Sequence, residues 1–341
     1  MGKALSTLLI TFILFFATLN KVAFSADNLP YLFLFLGNSE ISLYKDKFQN
    51  SCVSGAQVIY SWKQLEPRKN TYDFSKIEKD LSALNAKHKK LFVQLQDRSF
   101  SPTVFNVPDY IRKDKSYHGG VVMQYDMSGK GKPINTGWVA RVWDPTVQER
   151  FQLLLQKLAA QFDGRIYGLN LPETAIDFDA NNPPEGFTPD KYFHAELENM
   201  VVARKALHKS IIIQYVNFFP GEWDNDHHYM SNLFSYAITH QIGLGGPDVV
   251  PYKKSHMKNS YPFFQKSKGK LLIGMAIQEP DYTYENPQTG APYGFNDFYR
   301  FAKDYLGANI LFWNTQEPFF SNQLLPRLNE QYFVCPNSNS S

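Results

Sequence analysis

Arg165-Ile166-Tyr167-Gly168-Leu169-Asn170-Leu171-Pro172-Glu173 and Lys270-Leu271-Leu272-Ile273-Gly274-Met275-Ala276-Ile277-Gln278-Glu279 decide how this chain is read. Each is a short apolar run closed by an acid. Runs of this length suit strands, and continuous rather than alternating hydrophobicity marks strands covered on both faces, as in a parallel sheet under helices. Six more runs repeat the pattern: Tyr31–Leu36, Ala56–Tyr60, Lys90–Leu95, Ile211–Val216, Ile242–Leu244 and Ala308–Trp313. Amphipathic stretches at Phe74–Lys87, Val147–Phe162, Tyr192–Leu207, Met230–His240 and Phe295–Leu306 predict helices between them. Repeated strand–helix alternation favours parallel strands joined by right-handed crossovers.

Eight such units in just over three hundred residues match the size of a (β/α)8 TIM barrel. An open doubly wound sheet would carry a glycine-rich phosphate loop after its first strand, whereas Gly37-Asn38-Ser39-Glu40 stands there. The expectation is α/β class: a single barrel domain over residues 27–341, with enlarged loops after strand three (Asp97–Asp144) and strand seven (Pro280–Gly294).

Residues 1–26 read as a signal peptide: Lys3, an apolar run from Leu8 to Leu19, then small residues at Ala23 and Ser25. The protein is therefore expected to be secreted or periplasmic, with no membrane association once the signal is removed. The two cysteines, Cys52 and Cys335, read as one disulfide in such a compartment. A net charge of +3 with scattered lysines gives no basic stripe for nucleic acid. The adjacent His227 and His228 do not form a zinc pattern, so no metal and no cofactor is expected. Aromatics at 16% suit a protein that stacks rings on flat apolar ligand faces, and a monomer with a carbohydrate substrate is the simplest reading.

The strand order puts Glu173 after strand four and Glu279 after strand seven. The C-terminal ends of parallel barrel strands open on one face, so acids far apart in sequence converge there. Cleavage of a glycosidic bond needs such a pair of carboxyls. In this arrangement the chain resembles the retaining glycoside hydrolases of clan A, a superfamily with beta-galactosidase-like and cellulase-like members. Trp62-Lys63-Gln64-Leu65-Glu66-Pro67, Asn70-Thr71-Tyr72-Asp73-Phe74-Ser75 and Trp143-Asp144-Pro145 extend the likeness. The resemblance implies a glycosidase in which Glu173 is the acid/base and Glu279 the nucleophile of a double displacement that retains anomeric configuration. It further implies an aromatic floor at Trp313.

The remaining substrate-binding candidates are Asn170, Tyr215, Asn217, Trp62 and Tyr282. Pro172 stands where clan members carry an asparagine, which leaves Asn170 as the nearest amide. Asp248 and Glu317 read as spare acids that bond loops. The alternative reading is a non-hydrolytic carbohydrate-binding barrel with an altered catalytic site.

Overall fold

The structure is a computed structural model that describes residues 29–126, 134–179, 182–330 and 333–335. The expected signal peptide and the polar tail after residue 335 lie outside the described residues. Eight parallel strands close into a barrel: Tyr31–Phe35, Val53–Ser61, Lys90–Gln96, Gly168–Leu171, Ile211–Tyr215, Gly243–Gly246, Ile273–Ile277 and Ile310–Asn314. They are called strands one to eight here. Each hydrogen-bonds its sequence neighbours in the set, and strand eight closes on strand one with Phe33 opposite Phe312.

Alternation along each strand divides the core in two. Phe33, Phe35, Phe92, Ile213, Tyr215, Leu272, Ala276, Ile310 and Phe312 face inward and form the barrel interior. Their strand neighbours, such as Leu34, Val93, Leu169, Ile277 and Trp313, face the helices and join the larger outer core. Inside, Phe92 meets Phe33 and Phe312 edge-on at 5.1 and 4.8 Å, and Tyr167 stacks on Phe33 at 5.6 Å. This aromatic plug explains Gly168 on strand four. A Cβ there would lie 2.1 Å from the Phe92 ring, so any side chain would displace the plug.

The helices follow their sequence signals. Asp144 caps Pro145–Phe162, accepting from the Thr146 N–H at 2.9 Å, with proline at the first turn where no N–H is needed. Thr188 and Pro189 begin Pro189–Ala206 in the same way. The last expected helix starts at Phe295 as an α-helix and widens to a π-helical turn over Phe301–Leu306. Between strands three and four, Arg98–Ser99, Val121–Asp126 and Ile134–Ala140 build a three-stranded antiparallel sheet that the sequence reading did not anticipate.

The expected disulfide is present. Cys52 enters strand two, and Cys335 returns to it from beyond the last helix with a Cα–Cα distance of 5.3 Å. Among the described residues, no helix is long and apolar enough to cross a membrane.

Candidate active site

Glu173, Asn217, Asp248 and Gln278 follow the C-terminal ends of strands four to seven, and all four are partly exposed around the barrel mouth. The backbone after Glu173 is tightly held. Thr174 donates its N–H to the Tyr215 carbonyl at 3.1 Å and its hydroxyl to Phe218 O at 2.9 Å. The Thr174 carbonyl accepts from Tyr192 Oη at 3.0 Å, and that of Ala175 accepts from Arg98 Nη1 at 2.7 Å. Strand five, the helix Pro189–Ala206 and the strand-three extension thus fix one loop, and a fixed loop fixes the side chain it carries.

Burial, the largest influence, pushes the Glu173 carboxyl up to about 7. Arg98 opposes the rise, Asp248 adds to it, and the Asn217 side chain offsets part of it by hydrogen bonding to the carboxyl. Arg98 is wholly buried, and its Nε donates to Asp97 Oδ1 at 2.9 Å. Burial works against the guanidinium charge, but Asp97, Tyr192, Glu173 and Glu196 hold it on. Glu196, buried on the helix behind, is raised to about 8, mainly by desolvation.

Two strands along, Asp248 accepts from Gln278 Nε2 at 2.8 Å, and burial raises its pKa. Asp281, buried beneath, accepts backbone N–H groups from Val249 and Gln278 at 3.0 Å each. Burial raises Asp281 well above the usual carboxylate range, and the Asp248 charge raises it further. Two neighbouring acids in such a setting do not both ionise readily. The deeper Asp281 keeps the proton, which leaves Asp248 to carry the charge.

Several sequence candidates fall elsewhere. Inward alternation on strand seven runs through Leu272 and Ala276 to Gln278, so Gln278 rather than Glu279 continues into the mouth. Glu279 is exposed and begins the turn Glu279–Thr283, and it is not among the groups named above as acting on Glu173.

Trp313 is not a sugar floor. It points outward from strand eight, is wholly buried, and stacks on Phe295 at 4.7 Å with an 8° interplanar angle. Trp62 is likewise buried; its Nε1 donates to Glu66 at 3.1 Å, and Glu66 also binds Arg150 and the Asn70 N–H, so this motif ties strand two to the helix Pro145–Phe162. Phe319 covers one face of the Tyr282 ring at 4.0 Å. Tyr215 and Asn170 do face the barrel interior, and Asn217 does reach Glu173. Asp248, read from sequence as a loop acid, is one of two carboxylates that act on Glu173, the other and weaker being Asp97. The signal for Asp248 was its place directly after strand six.

A scan of the sequence against protein-family models matches none, and a search of curated proteins finds no match. Among solved structures, the chain is similar to the catalytic domain of beta-amylase from Paenibacillus polymyxa, with a TM-score of 0.56 and 10% sequence identity. The match covers 84% of this chain and 92% of that one. At that identity the likeness is one of fold, and it agrees with the closed barrel of eight parallel strands.

Proposed function

We propose that this protein is an exported glycosidase in which Glu173 is the proton donor and Asp248 the opposing carboxylate. The observation that carries the reading is the pair itself. One carboxyl is held near neutrality by burial, and an acid following a different strand of the same mouth acts on it. In the retaining course that the sequence resemblance implies, Glu173 gives its proton to the glycosidic oxygen as that oxygen leaves the anomeric carbon. The Asp248 carboxylate forms a bond to the same carbon. Water then displaces Asp248, giving its proton back to Glu173, and both groups are restored. Glu279 is the other candidate for the nucleophile, on its place after strand seven. The apolar leader and the Cys52–Cys335 bond support export to an oxidising compartment.

The test is turnover of a panel of aryl β-glycosides and polysaccharides by the wild type, Glu173→Gln, Asp248→Asn and Glu279→Gln, with proton NMR of the first-formed hemiacetal. Loss of at least a hundredfold in kcat with Glu173→Gln and Asp248→Asn, but not with Glu279→Gln, supports the assignment. Loss with Glu279→Gln alone returns the nucleophile to Glu279, and an inverted first product removes the double displacement.

One observation favours a second reading. The inward position at the end of strand seven holds an amide, Gln278, already bonded to Asp248. A barrel that binds sugar without cleaving it would show saturable binding and no turnover in the same panel.

A further inference from the structure

Below Glu173 the barrel carries a layer of neutral polar groups. Gln57 on strand two, Gln94 on strand three and Asn170 on strand four all lie on the inward alternation, and Gln94 and Asn170 are register partners. Gln57 Nε2 crosses the interior to Tyr215 Oη on strand five at 2.7 Å. Four polar atoms in this layer make no hydrogen bond with the protein: Gln57 Oε1, Gln94 Oε1, and both Oδ1 and Nδ2 of Asn170. Asn170 is wholly buried. The aromatic plug of Phe33, Phe92, Phe312 and Tyr167 fills the same interior together with Ile213, Leu272 and Ile310.

Leaving a buried polar group without a partner costs about 1–3 kcal/mol, and native interiors hold few such groups. Here they are gathered on three adjacent strands. An apolar residue at Asn170 would fill the same space without that cost, so the amide is explained best by something that enters from the mouth. Toward the mouth, Ile59, Ser61 and Gln94 on the same inward alternation are partly exposed, although the four unpartnered atoms themselves are buried.

We infer that Gln57, Gln94 and Asn170 form the floor of a subsite for an uncharged, hydroxylated sugar ring. Hydroxyls both donate and accept, which suits amides offering both kinds of atom. The charges above the floor argue against an anionic ring. With Glu173 and Asp281 protonated, Asp97 and Asp248 balance Arg98 and Lys253, and both cations are engaged: Arg98 by Asp97 and the Ala175 carbonyl, and Lys253 over the Tyr284 ring at 4.7 Å. A uronate would bring a negative charge that neither engaged cation is free to meet, beside the Asp248 carboxylate. The inference rests on the glycosidase or sugar-binding reading and specifies its substrate class.

The test is calorimetric titration with the methyl β-glycosides of glucose, galactose, mannose and xylose, and with methyl β-glucuronide. Wild type, Asn170→Leu and Gln94→Leu are compared, and turnover is measured in parallel. The expected result is binding of at least one neutral glycoside, at least tenfold weakening in each variant, and no tighter binding of the glucuronide. Asn170→Leu should unfold at the same temperature as the wild type or higher, because it removes two unpartnered buried atoms. Gln94→Leu, closer to the surface, carries the test if Asn170→Leu does not fold. Unchanged affinity in a folded variant, a preference for the glucuronide, or no binding of any of the five glycosides overturns the inference. Binding that obeys the pattern without turnover leaves it standing while removing the hydrolase reading, and turnover with unaffected variants does the reverse.

Discussion

Replacing Glu173 with glutamine should make the protein more stable at pH 8 while leaving it unchanged near pH 4. The native carboxyl is raised from its usual 4.5 to about 7, chiefly by burial. Between those values the folded protein keeps a proton that the unfolded chain releases. Stability therefore falls as pH rises through this window, and the loss is complete above about 7. At about 1.4 kcal/mol per pH unit, the full penalty is about 3 kcal/mol. Part of the Glu173 surface remains open at the mouth, where solvent screens its charge, so about 2 kcal/mol is the fairer figure at pH 8. Glutamine keeps an oxygen to accept from Asn217 and never ionises. Urea denaturation of both proteins at pH 4, 6 and 8 should show a difference that grows from near zero to about 2 kcal/mol, or about 3 °C in a thermal scan. A variant with the same offset at pH 4 and pH 8, or one less stable at pH 8, would refute the claim that burial holds this carboxyl near neutrality.

Arg98→Met should cost about 3–5 kcal/mol at pH 8, because it leaves Asp97, Glu173 and Glu196 without their buried counter-charge. The loss should shrink as pH falls below about 7 and Glu173 and Glu196 take protons, which denaturation at two pH values will read. Paired replacement of Cys52 and Cys335 by serine should lower stability by about 2–4 kcal/mol, measured against the untreated wild type, since the bond closes a loop spanning a sequence separation of 283. Trp313→Ala should cost about 3–5 kcal/mol through lost packing on Phe295, whereas Trp313→Phe should keep most stability and the wild-type KM. A KM raised tenfold by Trp313→Phe would restore the ring to the substrate.

The eight strands and the principal helices were legible in the sequence because burial on both faces writes itself into local composition. A strand under helices must be apolar throughout, and a helix on a barrel must be apolar on one stripe. The disulfide was legible for a similar reason: two cysteines leave only one pairing. Which strand residues face inward was not legible from such continuous runs, since alternation is hidden when both faces are apolar. Trp313 thus reads the same in sequence whether it lines the mouth or packs on Phe295. Only closure of the barrel decided that it packs, that Gln278 rather than Glu279 follows the inward alternation of strand seven, and that the Asp248 charge acts on Glu173. The amide layer of Gln57, Gln94 and Asn170 belongs to the same category. Its members lie on three strands far apart in sequence, and hydrogen-bonding need is a property of what surrounds an atom, which the chain acquires only when folded.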